Sequence, residues 1–106
     1  MKEECANCGV AKTLKIIGSK WTIMILYQLF DGPKRFSELQ SNLEISPRTL
    51  SMRLQQLESD KIINKKVYTE VPLKVEYTLT EKGSSLNHII STMNEWGEVE
   101  AASLSR

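Results

Sequence analysis

The segment Ser46-Pro47-Arg48-Thr49-Leu50-Ser51-Met52-Arg53-Leu54-Gln55-Gln56-Leu57 is the most informative part of this 106-residue chain, because it holds both a helix start and a regular apolar pattern. A serine side chain accepts hydrogen bonds from the exposed amides of a first helical turn, and proline fits the following position because its missing N–H would be unpaired there anyway. These two residues therefore predict a helix from Pro47 to about Asp60. The leucines share one stripe of this helix and predict its buried side.

The opposite side of the same helix is polar. Because successive residues turn by about 100°, this side carries Arg48, Thr49, Met52, Gln55 and Gln56, with Ser51 and Arg53 on its flanks. Arginine pairs with guanine O6 and N7, glutamine pairs with adenine, and methionine meets the thymine methyl group. A polar helix face is more often only solvated, so the neighbouring elements have to decide between solvation and DNA contact.

A second short helix precedes this one. Ser37-Glu38-Leu39-Gln40 has the spacing of a capping box and predicts a helix from Ser37 to about Leu43, with Glu44-Ile45 as a short turn. Two short helices joined by a tight turn are typical of a helix-turn-helix, whose second helix enters the major groove of DNA. The amides at Ser46 would then face a phosphate. Further backbone contacts are expected from Lys34, Arg35, Ser37 and Arg53.

Two helices come earlier in the chain. Val10, Leu14 and Ile17 recur at helical spacing and predict a first helix that stops at Gly18. A second helix from Lys20 to Phe30, capped by Ser19, is apolar on nearly every side, which predicts the buried centre of the domain.

After the polar helix the sequence period changes to that of strands. Ile62, Ile63 and Val67, then Val75, Tyr77 and Leu79, predict a two-stranded hairpin with a loop of about six residues, Thr69 to Lys74. Lys65, Lys66 and Lys74 flank this loop, as in a wing that contacts phosphate or the minor groove. The alternative is a solvated edge hairpin, in which lysines discourage strand addition. We take Lys65 and Lys74 as the wing contacts. For Lys65 and Lys66, the solvated edge hairpin stays open as the alternative.

The last predicted helix, capped by Thr80, offers more apolar surface than one small core absorbs. Together with the first helix it predicts a homodimer, with an interface formed by Val10, Leu14, Ile89, Ile90, Met93 and Trp96. A two-fold dimer would set its recognition helices about 34–36 Å apart, matching a pseudo-palindromic site. We expect a single domain over residues 1–106, with a loose end at 1–7 and a frayed end at 98–106. The predicted fold is thus mainly α with a small β-hairpin wing.

Composition excludes several classes of protein. The chain is 41% hydrophobic and 25% charged, which is ordinary for a globular domain. Its net charge is only +1, but residues 34–74 hold eight basic and five acidic side chains, a balance that suits an anionic partner. The start Met-Lys-Glu-Glu-Cys lacks the apolar run of a secretion signal, and no segment suits a membrane span, so we expect a cytoplasmic protein. With one histidine, no phosphate loop and no catalytic set, we expect neither an enzyme nor a cofactor.

The sequence resembles the HxlR family of bacterial regulators over Cys8 to Trp96. The similarity is carried by residues 17–22 (Ile-Gly-Ser-Lys-Trp-Thr), 31–39 (Asp-Gly-Pro-Lys-Arg-Phe-Ser-Glu-Leu), 45–51 (Ile-Ser-Pro-Arg-Thr-Leu-Ser) and 76–83 (Glu-Tyr-Thr-Leu-Thr-Glu-Lys-Gly). It implies a MarR-like winged-helix fold, a homodimer and binding to operator DNA, and we expect a repressor. Lys61-Ile62 stands where the family often has Gly-Leu, and Gly9 where proline often follows the cysteine.

Cys8 matches a cysteine of this family that senses oxidants or electrophiles in some members. The amides of a helix N-terminus favour a thiolate, and Cys5 adds a second thiol that would either close on Cys8 or bridge two subunits. The alternatives are an inert cysteine in a loose terminus and a partial zinc site, for which four ligands are usual. We expect no metal, because His88, the one histidine, belongs to another helix.

Two functions from different classes therefore remain. The first is a sequence-specific DNA-binding regulator, and the second is a winged protein-interaction module that does not bind DNA. A module of the second kind would carry an acidic or apolar recognition helix and wing, whereas residues 34–74 are basic on balance. We favour the regulator. The sequence does not identify a small-molecule effector.

Overall fold

The computed structural model of the chain describes residues 8–69 and 71–104, so Cys5 and the rest of the predicted loose N-terminus lie outside the described residues. Six helices and one hairpin follow one another in the described part: α1 (Gly9–Ile17), α2 (Lys20–Leu29), α3 (Phe36–Leu43), α4 (Pro47–Ser59), β1 (Ile63–Tyr68), β2 (Lys74–Leu79), α5 (Glu81–Ser84) and α6 (Asn87–Leu104). The predicted fold class, a mainly helical winged helix-turn-helix, is confirmed.

Helix α2 is the centre of the domain, as its composition predicts. It contacts α1, α3, α4, α6 and β2, and Ile25 and Leu26 are completely buried. The helix is not enclosed on every side, however, because Met24 and Tyr27 are exposed. These two side chains leave an apolar strip on the surface between α2 and α6.

The leucine stripe of α4 faces inward as predicted. Leu50, Leu54 and Leu57 are all buried, and the helix packs on α2 and β1. Full burial of one such side chain stabilises a fold by about 1.5–3 kcal/mol, so the stripe fixes the rotation of α4 about its own axis. The polar side of the helix is thereby turned outward.

The hairpin forms a two-stranded antiparallel sheet in which Ile63 pairs with Leu79 and Tyr68 pairs with Lys74. Its loop spans residues 69–73, one residue shorter than expected. The side chains of Ile63 and Tyr77 are buried, so the face that they share packs on the body of the domain. Lys34 extends the sheet by one bridge, since its N–H donates to the Tyr77 carbonyl at 3.1 Å and its carbonyl accepts from the Tyr77 N–H at 2.8 Å.

The base of the hairpin is anchored by a junction between α4 and α5. Lys61 takes a left-handed backbone conformation with φ 63°, and the Thr80 hydroxyl is shared between the carbonyls of Lys61 at 2.7 Å and Ile62 at 3.0 Å. Gly83 packs against the Ile62 carbonyl so closely that a Cβ atom would overlap it. The position requires glycine for this close approach.

Two helix starts differ from the sequence predictions. Helix α3 begins at Phe36, and Glu38 accepts a hydrogen bond from the Arg35 backbone N–H at 2.9 Å, so Ser37 lies in the first turn and is not the cap. The charged carboxylate is a stronger acceptor than the Gln40 amide that the expected box would use. Ser19 stands at the N-cap of α2 as predicted, but its side chain makes no capping hydrogen bond.

The C-terminal helix also differs from its prediction. Thr80 caps the short helix α5 and accepts from the Gly83 N–H at 3.0 Å, and the chain turns before α6 begins at Asn87. Helix α6 continues to Leu104 in the described part of the chain. Ile90 was expected at the dimer interface, but it is only 2% exposed and packs in the core. That assignment was wrong because α6 turns Ile90 toward the interior.

Replacing Lys61 by glycine should stabilise the fold by about 0.5–1 kcal/mol, because relief of left-handed strain exceeds the extra chain entropy of glycine. Urea unfolding followed by tryptophan fluorescence measures the free energy of unfolding. Lys61→Ala is the matched control, since it removes the side chain but keeps the Cβ atom. A glycine variant no more stable than the alanine variant would contradict this explanation.

Candidate nucleic-acid interface

The turn between α3 and α4 occupies residues 44–46. Glu44 ends α3 in the left-handed region with φ 53°, and Ile45 is buried in the core. A turn of about three residues is the length found in helix-turn-helix motifs. The left-handed position carries no glycine or asparagine, so no residue type there predicts this conformation.

Ser46 caps α4 as predicted. Its Oγ accepts from the Thr49 backbone N–H at 3.2 Å, and its hydroxyl donates to Thr49 Oγ1 at 2.9 Å. The Thr49 side chain is half-buried and already engaged in this contact. Ser46 and Thr49 therefore stabilise the N-terminal turn of the helix.

The outer face of α4 presents Arg48, Met52 and Gln55 to solvent, and 53% of Met52 is accessible. None of the three makes a side-chain hydrogen bond or ion pair with another described residue. Gln56 differs, because its amide Nε2 lies 3.2 Å from both carboxylate oxygens of Asp60. The structure thus exposes most of the predicted base-contacting side of α4, which we call the reading face. Gln56 differs in being hydrogen-bonded to Asp60 at the end of the same helix.

The predicted phosphate contacts surround this face. Ser51 and Arg53 are half-buried on the flanks of α4, as the helical spacing requires, and Arg53 forms no ion pair with any described residue. Lys34 is half-buried beside β2, whereas Arg35 and Ser37 are exposed at the start of α3.

Helix α3 is tied to the central helix by a hydrogen bond that the sequence analysis missed. The Asn42 amide Nδ2 donates to the Gln28 carbonyl oxygen Oε1 at 3.0 Å. This contact joins α2 to α3 across 14 positions of the chain. Nothing in the local pattern of either helix signals it.

The hairpin separates the lysines that its sequence suggested together. Lys65 pairs with Tyr77 across the strands, whereas Lys66 pairs with Glu76 and Tyr68 with Lys74. Because neighbouring residues of a strand point to opposite faces, Lys65 lies on one face, and Lys66, Tyr68, Lys74 and Glu76 lie on the other. Tyr68 and Glu76 were not among the predicted site residues, although the strand alternation would have placed them beside the lysines.

One ionisable group in this region has a shifted pKa. Burial, with a smaller contribution from the Glu58 carboxylate, raises the pKa of the Tyr77 phenol above its ordinary value. The phenol therefore stays neutral at physiological pH. Tyr77 serves the packing of the hairpin on the body of the domain.

The terminal helices form an apolar groove on the domain surface. Its volume is about 460 Å³, and its lining consists of Gly9, Val10, Thr13, Leu14, Ile17, Ile23, Ile89 and Met93. Leu14 is 56% exposed, and Trp96, farther along α6, is 69% exposed. Cys8 is exposed at the N-cap of α1, next to this groove, and its carbonyl accepts from the Lys12 N–H at 3.0 Å.

Neither a membrane-spanning helix nor a metal-binding cluster is found in the described residues. Among residues 8–69 and 71–104 no helix is both long and apolar enough to cross a membrane. Within the same ranges no three or more histidine, cysteine or acidic side chains are grouped so that they would hold a metal ion.

Replacing Ser46 by alanine should lower the free energy of unfolding by about 1 kcal/mol, the usual loss on removing a helix cap. Ser46→Asp keeps an acceptor for the Thr49 N–H and is the matched control, which should retain the wild-type stability. Urea unfolding measures both variants. Equal stability of the alanine and aspartate variants would show that the cap adds nothing.

Comparison with known proteins identifies the family. The HxlR-like helix-turn-helix family matches residues 16–104. The HTH-type transcriptional regulator YdeP of Bacillus subtilis (strain 168) is 45% identical over 97 residues, which cover 91% of this chain and 76% of YdeP. Two relatives of known structure are similar throughout the fold.

The redox regulator HypR in its reduced form superposes with a TM-score of 0.85 at 42% identity, covering 92% of this chain and 98% of HypR. The reduced form of the transcriptional regulator YodB from B. subtilis gives 0.75 at 38% identity, covering 86% of this chain and 91% of YodB. This is a family of transcriptional regulators, not of enzymes. The chain is a member of the HxlR-like helix-turn-helix family of transcriptional regulators, and its winged fold is the one found in HypR and YodB.

Proposed function

We propose that this regulator binds pseudo-palindromic operator DNA as a homodimer, with α4 in the major groove. The observation that carries the proposal is the outer face of α4, where Arg48, Met52 and Gln55 are exposed and have no partner among the described residues. Such side chains on a capped helix match the base edges that arginine, methionine and glutamine recognise. Thr49 and Ser51 complete the proposed reading face. Gln56 contributes to it only if its hydrogen bonds to Asp60 break.

The charges around α4 support phosphate contacts on either side of the reading face. Residues 34–74 carry eight basic and five acidic side chains, and of the described residues only Lys74 and Glu76 form an ion pair. The remaining cations are therefore not neutralised inside the molecule. We assign the backbone contacts to Lys34, Arg35, Ser37, Ser46, Arg53, Lys65 and Lys74.

Replacing Arg48 by alanine should weaken operator binding by about 1–3 kcal/mol and relax the preference at one base pair. In vitro selection of duplex sites with the wild type supplies the probe, and fluorescence anisotropy measures the dissociation constants. Lys15→Ala is the control for loss of one exposed cation, and it should bind as the wild type does. Unchanged specificity in Arg48→Ala would show that the reading face is assigned wrongly.

A regulator of this kind would act in the cytoplasm, and we expect repression. If selection with the wild-type protein enriches no duplex, the proposed DNA binding fails. The winged protein-interaction module would then be the better explanation of the fold.

The apolar groove of the terminal helices supports the homodimer. Large apolar side chains are exposed on both terminal helices: Val10 and Leu14 on α1, and Ile89, Met93, Trp96 and Val99 on α6. Monomeric proteins rarely expose contiguous apolar patches of this kind. A second copy would bury them and would set two α4 helices to face successive half-sites.

Leu14→Asp should convert the protein to a monomer at micromolar concentration, because dimer formation would bury an unpaired charge. Leu14 is exposed in the single chain, so the substitution leaves the core intact. Val67→Asp, at an equally exposed apolar residue of the hairpin, is the control and should stay dimeric. Sedimentation velocity measures both, and a wild-type monomer would rule out the proposed dimer.

Cys8 is the proposed redox-sensitive residue. It is exposed, lies at the N-cap of α1 and adjoins the groove in which the second copy would sit. Two similar proteins support a redox role, since HypR is a redox regulator solved in an oxidised form and YodB is solved after diamide treatment. A disulfide to Cys5 or to the partner copy would change how the two subunits meet.

Diamide should change the operator affinity of the wild type by at least about five-fold, the lower end of typical coupling between sites. Cys8→Ser should abolish the response, because diamide then has no thiol to oxidise at this position. Cys5→Ser is the matched variant that separates a Cys5–Cys8 disulfide from a bridge between two Cys8 thiols. An equal response in wild type and Cys8→Ser would eliminate the proposal.

A further inference from the structure

The hairpin holds two ammonium groups against one aromatic ring. Lys66 Nζ lies 4.9 Å from the centroid of the Tyr68 ring, and Lys74 Nζ lies 5.1 Å from the same centroid. Both distances are within the range of about 6 Å for attraction between a cation and an aromatic ring. Both ammonium groups are therefore attracted to the same ring.

The strand register produces this arrangement. Lys66 stands two residues before Tyr68 on β1, so the two side chains share a face, and Lys74 is the cross-strand partner of Tyr68. The same face lies opposite the one that packs on the body through Tyr77. The three side chains thus form one basic surface on the outer side of the hairpin.

One acidic residue limits the charge of this surface. The Glu76 carboxylate lies 3.5 Å from Lys74 Nζ, and it is also the cross-strand partner of Lys66. Lys66 itself forms no ion pair with a described residue. One carboxylate therefore faces two ammonium groups, and the excess positive charge is suited to an anion.

We propose that Tyr68 is a positioning residue of the DNA-binding surface, which holds the Lys66 and Lys74 ammonium groups together so that they bind the phosphate backbone. This inference rests on the proposed function and assigns the wing contact to the outer face of the hairpin. Glu76 weakens the contact because it competes with phosphate for Lys74. This inference revises the wing assignment made above, because Lys65 lies on the opposite face of the hairpin and contributes less to the contact than Lys66.

The geometry explains why an aromatic residue serves this purpose. A lysine side chain has several freely rotating bonds, and holding it in one place costs rotamer entropy. Attraction to the ring face offsets part of that cost before DNA binds, and two lysines share a single ring. An aliphatic side chain at position 68 would fill the same space without attracting the ammonium groups.

The test measures how the affinity for a selected duplex depends on salt concentration. Each phosphate contact contributes about 0.9 to the slope of log affinity against log salt for duplex DNA. Lys66→Ala and Lys74→Ala should each lower the slope by about this amount, and the control Lys15→Ala should leave it unchanged. Glu76→Gln should tighten binding by about two- to five-fold, as expected for release of a surface ion pair.

Two variants of Tyr68 separate positioning from packing. Tyr68→Phe keeps the ring and should bind as the wild type does, whereas Tyr68→Leu should weaken binding by about two- to five-fold at low salt. The loss should shrink at high salt, because only phosphate contacts are affected. Urea unfolding of both variants shows whether the hairpin still folds.

The inference is overturned if Lys65→Ala lowers the slope as much as Lys66→Ala does. It is also overturned if Tyr68→Leu weakens binding equally at low and high salt, since that pattern indicates loss of structure. Failure of the wing variants alone, with Arg48→Ala still impaired, would reject this inference and leave the proposed function standing. Absence of any selected duplex would reject both.

Discussion

Burial of the leucine stripe of α4 orients both this helix and the hairpin that follows it. Leu50, Leu54 and Leu57 lie against α2 and the base of the hairpin, and no other rotation of the helix would remove them from water. Because the helix is rigid, the inward position of these leucines determines that Arg48 and Gln55 point outward. The same packing places the end of α4 where the chain must reverse into β1. The proposed reading face and the wing therefore follow from a single apolar contact.

The reversal after α4 sets the position of the wing. Lys61 takes a left-handed conformation, Thr80 bonds the carbonyls beside it, and Gly83 packs on the Ile62 carbonyl. These contacts join the start of β1 to the residues just after β2, so the two ends of the hairpin are held at one point. Only the outer end of the hairpin is then free of the body. The proposed phosphate contact would benefit from this anchor, because the hairpin that carries the lysines is held in place at its base.

Several large apolar side chains that the core does not absorb lie on the terminal helices and on α2. Leu14 and Trp96 are exposed on α1 and α6, and Met24 and Tyr27 extend the same surface onto α2. Helix α2 also contacts α4. A change in the proposed subunit contact along this surface would therefore be transmitted through α2 to α4, which carries the proposed reading face. Cys8 lies at the edge of the groove, so its oxidation would affect the proposed contact between the two subunits. Dimer formation and redox response are thus proposed for the same region.

Features that depend on neighbours along the chain were predictable from the amino-acid sequence: the Ser46-Pro47 start of α4, its leucine stripe, the central position of α2 and the hairpin with its loop. Caps and periodicities are local, so they can be recognised without knowing what packs against them. Four other features required the three-dimensional structure. Ile90 is buried, and the Glu38 carboxylate accepts from the Arg35 N–H at the start of α3. A short helix separates Thr80 from α6, and Lys65 and Lys74 lie on opposite faces of the hairpin. Each of these depends on strand register or on which groups compete in space for a helix end or a place in the core.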